Sequence, residues 1–396
     1  MADIEPLRTR WPVHGEDEIA AVADVLRGGP PDCAPASGLT NYWTGREGEA
    51  FETEWARSLG LPHALAVSNG TTALECCLRG VGLPEVRLGH DWMMEPQVIV
   101  PARTFIATAS AVVQCGGRPV LADIDPGTLC VTAETLEAAR TGATVGVIVV
   151  HYGGLPVPDM DAITRWAMKH GLWIVEDCAH AHGAPGVGTR SHAAAWSFCV
   201  GKIMSTGGEG GMVACLDDGV AGRMRAYRDH GRYNMVGSRE ARDLAAFSYT
   251  VEEFGSNARM TEMQAVIGRI QLRGLAANVA RRQEIAAAYD ACVESRGLQA
   301  MFTPEQRRAH ARYLYHCRVD AGRRDDVMAR LVARGIPARV GGCPSLRLEP
   351  CFVKRGWAYD TPMADQVGRE TFSLPVYPTM GVVDVARVCD ALREVL

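Results

Sequence analysis

The sequence predicts an α/β fold: a doubly wound, mostly parallel sheet followed by a smaller α+β domain. Three observations carry this. Short, almost wholly apolar runs recur between residues 64 and 175, each leading into a helical pattern. Such runs suit parallel strands buried on both faces, and their alternation with helices is the pattern of a doubly wound sheet. Past residue 255 the rhythm changes to one long helical stripe and then to shorter alternating segments.

Taken in order, residues 64–67 read as the first strand, and Ser68-Asn69-Gly70-Thr71-Thr72 leads into a helix over 73–78. Residues 97–100 are the second expected strand, followed by a helix starting near Thr104. Further strands are expected at 118–122, 145–150 and 172–175. Met260, Met263, Val266, Ile267 and Ile270 recur at helical spacing and predict a long helix, continuing with a break or bend through 286–292. Core packing accounts for that stripe. Alternating segments at 313–319, 337–340 and 372–374, with a last helix over 383–396, complete the smaller domain. The expected division is a large domain over 1–270 and a small one over 271–396. Residues 28–38, with three prolines, read as a loop.

Composition narrows the function. The 396 residues, 47% hydrophobic and 22% charged, suffice for two domains with a substantial core. A net charge of -5 gives no long-range pull on a nucleic-acid backbone. The thirteen cysteines include no Cys-x-x-Cys pair, so neither a disulfide framework nor a metal site is expected. The start, Met-Ala-Asp-Ile-Glu-Pro, lacks a signal-peptide pattern, and no apolar run approaches the ~20 residues that span a bilayer. A cytoplasmic protein without membrane or nucleic-acid partners is expected.

The chemistry concentrates in three places. Lys202 lies between Ser197 and the glycine-rich turn Gly207-Gly208-Glu209-Gly210-Gly211. A lysine so placed can form a Schiff base with an aldehyde cofactor, then act as a proton shuttle if burial lowers its pKa. The bland alternative is a surface lysine before a flexible loop. Asn69-Gly70-Thr71-Thr72 opens a helix, where free N–H groups attract phosphate; an ordinary helix cap reads the same way. No Gly-x-Gly-x-x-Gly after a strand and no Walker-type motif accompanies it. Asp177 and His180 follow the strand at 172–175, where such folds bind ligands. A carboxylate there can keep a pyridine nitrogen protonated. His180 and His182 at i and i+2 would suit a metal only with further ligands at metal spacing, which are lacking.

Together these pieces resemble the DegT/DnrJ/EryC1/StrS sugar aminotransferases, fold-type I enzymes dependent on pyridoxal phosphate. The resemblance runs from about Trp11 to Leu396. It rests on Asn69–Leu74, Pro101–Thr108, Glu176–Ala184, Ser197–Val213, Arg228–Gly231, Asn257–Ala265 and Leu374–Pro378, in that order. It implies a seven-stranded type of sheet in the large domain. It implies that Lys202 carries the cofactor, passing between pyridoxal and pyridoxamine phosphate, and that Asp177 pairs with its ring nitrogen. Phe105 would stack on the ring and His180 would donate to its ring oxygen. Gly70, Thr71, Thr72 and Ser197 would hold the phosphate. Asn257 would reach the neighbouring subunit's cofactor, which implies a homodimer with shared sites.

The implied reaction moves an amino group from L-glutamate to a keto-sugar, most often a nucleotide-linked keto-deoxysugar, in amino-sugar biosynthesis. Tyr42, Arg46, His230 and Arg232 are the candidates for the sugar and its diphosphate; a packed aromatic or a solvated charge is the alternative for each. A glutamine-dependent transaminase of a cyclitol, or a non-catalytic binding protein on the same fold, are the other readings. Two departures from the family pattern stand out. Position 180 is often glutamine, and the turn after Lys202 is one glycine longer than the commonest form. Residues 84–94 look like an insertion.

Overall fold

The computed structural model describes residues 7, 11–28, 45–83, 95–233, 250–296 and 300–396. Seven strands make the main sheet: β1 (His63–Val67), β2 (Gln97–Pro101), β3 (Arg118–Ala122), β4 (Thr144–Val150), β5 (Trp173–Asp177), β6 (Ala193–Ser197) and β7 (Gly211–Cys215). Their order is β1-β7-β6-β5-β4-β2-β3. β7 runs antiparallel to both neighbours; the other pairs are parallel. The register sets Val67 and Ser197 each opposite Gly211. The carboxyl ends of β1, β2, β4, β5 and β6 therefore open on one edge of the sheet, where open α/β folds bind ligands.

Helices cover the sheet: α1 (Glu16–Leu26), α2 (Gly45–Leu59), α3 (Gly70–Gly80), α4 (Ala107–Gln114), α5 (Ala133–Ala139), α6 (Met160–His170) and α7 (Asp218–Arg228). The long α8 (Glu262–Glu294) follows a two-stranded ribbon, β8 (Arg232–Tyr233) and β9 (Thr250–Val251). The C-terminal part holds α9 (Pro304–Ala309), β10 (Tyr315–Arg318), α10 (Arg324–Val332), β11 (Arg339–Val340), α11 (Pro350–Val353), α12 (Pro362–Glu370), β12 (Thr371–Leu374) and α13 (Val382–Val395). Its sheet is antiparallel, in the order β10-β12-β11.

The expected strands at 64–67, 97–100, 118–122, 145–150 and 172–175 all form within two residues of their predicted ends. Four details differ. β6 and β7 were not anticipated, because Ala193-Ala194-Ala195 has little strand propensity by itself. Burial of every residue in both strands, between β5 and β1, makes them strands. β5 runs on through Glu176 and Asp177, which were expected just past its end. α4 begins at Ala107 rather than Thr104, which leaves Thr104 and Phe105 in the loop after β2.

Lastly, α8 is one unbroken helix, capped by Thr261, whose hydroxyl accepts from Gln264 N–H. A break or bend was expected through 286–292, but Ala286, Tyr289 and Cys292 are buried in the C-terminal core and the helix runs on. The charges along it are paired: Arg269 bonds both Glu47 and Glu54 of α2, and Arg282 lies buried among backbone carbonyls. α8 crosses residue 270 without interruption. Its Leu275 and Val279 pack with Phe51, Trp55, Trp196 and Phe198 beside the main sheet. Its Ile285, Ala286 and Tyr289 pack against β10, β12 and α13.

Candidate active site

Asn69 builds the first corner of the site. Its side chain accepts the Thr72 N–H at 2.9 Å, and the Thr72 hydroxyl accepts the Asn69 N–H at 3.2 Å. That reciprocal cap starts α3. It commits the N–H and hydroxyl of Thr72, so the helix cap and the phosphate reading meet in one motif. The N–H groups of Gly70 and Thr71 stay outside the helical ladder. A Cβ added to Gly70 would lie 2.5 Å from Ser197 Cβ and 2.9 Å from its Oγ. Only glycine lets these two segments pass. The first turn of α3 and the end of β6 thus form a cradle of backbone N–H and hydroxyl donors, which fits a phosphate. A Cβ on Gly211 would meet the Asn69 carbonyl at 2.5 Å, so β7 holds the cradle from behind.

Asp177 is buried at the end of β5. Its Oδ1 accepts Ala179 N–H at 3.1 Å and its Oδ2 accepts the Thr108 hydroxyl at 2.9 Å. Thr104 lies 2.8 Å behind Thr108, so the loop after β2 aims the carboxylate. Burial raises the Asp177 pKa, against the pull of these hydrogen bonds and of Lys202. A buried carboxylate held by neutral donors, and strained toward protonation, fits a cationic ring nitrogen as its missing partner.

His180 is also buried. Its Nδ1 accepts Gly153 N–H at 3.3 Å, which places the ring proton on Nε2. Burial drives its pKa well below the ordinary value, so the ring is neutral and keeps that donor. Imidazole in place of the commoner glutamine therefore still offers one N–H to an anionic ring oxygen. His180 stacks on Tyr313, with ring centroids 4.2 Å apart. Lys202 Nζ sits 4.8 Å from the centroid of the same tyrosine. Lys202 is half-buried in the turn between β6 and β7. Burial lowers its pKa, opposed mainly by Asp177.

The other predicted residues lie farther out. Phe105 is 58% exposed, so its ring is open to a ligand or a neighbour rather than to the core. Asn257 is exposed in the segment that extends β1, where Val67 bridges Arg259 and Ser68 N–H bonds Ala258. His230 lies at the start of the adjoining turn with its N–H on Ser256. Arg232 comes within 3.8 Å of Asp229, which also pairs with Arg259. Arg46 is exposed in the first turn of α2, where Glu262 accepts the N–H groups of Glu47 and Gly48. The first turn of α2 thus already carries a carboxylate. Tyr42, the loop after Gly28 and residues 84–94 lie outside the described residues.

Three residues at the site carried no role in the sequence reading. Thr108 orients Asp177, Gly153 fixes the His180 tautomer, and Tyr313 underlies both His180 and Lys202. The segment 101–108 had marked the neighbourhood of Thr108; nothing in spacing or composition marked Tyr313.

His180 and His182 do not form a pair of ligands. His182 packs edge-on to Trp55 and its pKa falls to about 3 through burial. Among the described residues one group, His151, Glu176 and Cys178, has its ligand atoms within 4.8 Å of each other. Its lone pairs are in use. His151 Nδ1 accepts Val157 N–H, and Glu176 accepts His151 Nε2, Gly188 N–H and Arg190 N–H. Burial holds Cys178 as a thiol. The cluster ties β4 to β5 and to the 186–190 turn.

These buried imidazoles set the acid limit of the fold. His182 and His316 have folded pKa values of about 3 against an ordinary 6.5, so the unfolded chain binds more protons between those values. Stability therefore falls as pH drops from 6.5 toward 3. The expected result is a urea midpoint that declines steadily through that window, with a shallower decline in His316→Phe. Equal slopes for the two proteins would remove His316 from the account.

The sequence model of the DegT/DnrJ/EryC1/StrS aminotransferase family matches residues 31–393. The spore coat polysaccharide biosynthesis protein SpsC of Bacillus subtilis is 32% identical, over 97% of this chain and 96% of its own. The UDP-N-acetyl-3-dehydro-alpha-D-glucosamine 3-aminotransferase of Acidithiobacillus ferrooxidans is 32% identical, over 90% of each chain. Among solved structures, an aminotransferase from Psychrobacter cryohalolentis superposes with a TM-score of 0.85 at 34% identity, covering 98% of both chains.

Proposed function

Because the chain belongs to the DegT/DnrJ/EryC1/StrS aminotransferase family and is a pyridoxal-phosphate enzyme, we propose that it transfers an amino group from L-glutamate to a nucleotide-linked keto-sugar in amino-sugar biosynthesis. One observation carries the reading. A lysine amine with a lowered pKa, a buried carboxylate and a phosphate cradle share one edge of one sheet. The sugar half is supported by the two curated relatives, one named for a UDP-linked keto-sugar and one for polysaccharide synthesis.

When bound, pyridoxal phosphate supplies an electrophilic carbon that carries the amino group and a protonated ring that draws off electron density. The residues would divide the rest. Gly70, Thr71 and Ser197 hold the phosphate, with Thr72 maintaining the turn that presents it. Asp177, aimed by Thr108, holds the proton on the ring nitrogen. His180 donates Nε2–H to the ring oxygen, and Phe105 covers the ring face. Lys202 Nζ, whose proton affinity burial lowers, takes the proton from the donor's α-carbon. In the second half it returns one to the sugar carbon that receives nitrogen.

Asn257 and Phe105, both exposed in the single chain, suit a homodimer in which each subunit completes the other's site. His230 and Arg232, beside Asn257, suit the diphosphate of the acceptor; Arg46 and Tyr42 remain candidates of the same kind. Among the described residues no helix is long and apolar enough to cross a membrane, in keeping with a cytoplasmic site of action.

The test is the visible spectrum of the cofactor-loaded protein. L-glutamate is expected to bleach the visible band, and a UDP-linked 3-keto-sugar to restore it. A protein that ignores glutamate and responds to glutamine would instead favour the cyclitol reading.

A further inference from the structure

The turn that carries Lys202 is gripped from below by three side chains remote in sequence. Trp11 Nε1–H donates to the Lys202 carbonyl at 2.7 Å. Asn278 Nδ2–H, from α8, donates to the Ile203 carbonyl at 2.5 Å. Arg282, one turn further along α8, joins the two. Its Nε donates to Asn278 Oδ1 at 2.9 Å and its guanidinium lies 5.0 Å from the Trp11 ring centroid. The same guanidinium donates to the Val376 carbonyl at 2.6 Å and to the Arg312 carbonyl at 3.3 Å. Arg312 immediately precedes Tyr313, the ring under Lys202 Nζ.

We propose that Trp11, Asn278 and Arg282 act as positioning residues, a buckle that fixes the backbone of Lys202 and Ile203 relative to the tyrosine over which the amine acts. The physical argument is geometric. The lysine side chain has four rotatable carbons, so its amine reaches a defined point only if its backbone is immobile. The turn has glycines on both sides, Gly201 before Lys202 and Gly207-Gly208 after it, with φ +87 and +156 at the latter two. The turn's own bonds, Lys202 N–H on the Cys199 carbonyl, Val200 N–H on Gly208 and Thr206 N–H on Phe198, tie its N–H side and its base. The carbonyls of Lys202 and Ile203 are held from outside the turn, by Trp11 and Asn278. Arg282 orients the Asn278 amide, since a guanidinium on Oδ1 leaves only the NH₂ group to face the turn. It ties the same grip to the segments bearing Arg312 and Val376. A misplacement of about 1 Å at a reacting atom costs on the order of 10²-fold in rate.

The inference rests on the reading of Lys202 as the amine that does the chemistry, and its test separates the two. Trp11→Phe removes one donor and keeps the ring; Asn278→Leu removes the other. In cofactor-free protein, the rate of Lys202 acetylation by acetic anhydride, followed by peptide mass spectrometry from pH 7 to 11, gives the amine's own titration. The expected result is a titration shifted up toward that of ordinary lysine in both variants. With cofactor, kcat is expected to fall roughly tenfold at little-changed KM. Arg282→Lys, which keeps the charge but not the fork, is expected to lie between wild type and Asn278→Leu. An unchanged Lys202 titration, with activity lost only in step with thermal stability, would overturn the proposal and leave the three as scaffold. If Asn278→Leu does not fold, Trp11→Phe decides alone. A shifted titration in a protein with no aminotransferase activity even as wild type would sink the functional reading and leave the buckle standing.

Discussion

Replacing Lys202 by alanine is expected to lower amino transfer by roughly 10⁴-fold, near the upper end of what one proton-transferring group contributes. The fold should survive. Lys202 is held through its backbone, its N–H on the Cys199 carbonyl and its own carbonyl under Trp11, and alanine keeps both bonds. The side chain contributes its place above Tyr313 and an amine whose pKa burial lowers. Removing it takes away a partly buried amine whose charged form burial disfavours, so the melting temperature should hold or rise slightly. Cofactor should still bind through the Gly70–Ser197 cradle and Asp177. The defining measurement is single-turnover loss of the visible band with L-glutamate, repeated with added methylamine. Partial recovery by the small amine would assign the defect to the missing base. A Lys202→Ala protein that keeps a tenth of wild-type activity would remove lysine from the mechanism.

Asp177→Asn gives the second large effect, with opposite signs in activity and stability. Asparagine can keep its oxygen on the Ala179 N–H and turn its NH₂ to the Thr108 hydroxyl, whose own proton then goes to Thr104, so the shape of the site survives, but it cannot hold a proton on a ring nitrogen. Turnover should fall roughly 10³-fold, the scale of removing one electrostatic stabiliser of the developing charge. Without cofactor, the same change removes a carboxylate whose burial raises its pKa. A folded pKa above the unfolded one means that stability is present at low pH and lost as pH rises through the folded value. The variant is freed from that loss, so at neutral pH the cofactor-free Asp177→Asn protein should melt higher than wild type. With cofactor the order should reverse, because the wild-type carboxylate then has its partner. Scanning calorimetry of both forms checks it. A variant less stable than wild type without cofactor would mean that Asp177 serves the fold rather than the ring.

Much of this was legible before any coordinates. The strands at 118–122 and 145–150 announce themselves because both faces are buried, and Lys202, Asp177 and Ser197 stand beside sequence features that chemistry can name. The limits have physical causes. Ala193-Ala194-Ala195 becomes a strand only because its neighbours bury it. The break or bend expected through 286–292 does not form because Ala286, Tyr289 and Cys292 pack with β10, β12 and α13, which come later in the chain. That Glu262 caps the helix end beside Arg46 was likewise not legible, since the two lie more than two hundred positions apart in the chain.

The sequence by itself determined the α/β class, the location of the lysine, and the groups we propose for a phosphate and a ring nitrogen, because those depend on residue type and on neighbours a few positions away. The tertiary structure alone decided their state. Which way the His180 proton faces depends on Gly153, what aims Asp177 depends on Thr108, and what lies beneath the Lys202 amine depends on Tyr313. Burial, tautomer and proton affinity are set by atoms brought close across the fold, and no local pattern in the chain records them.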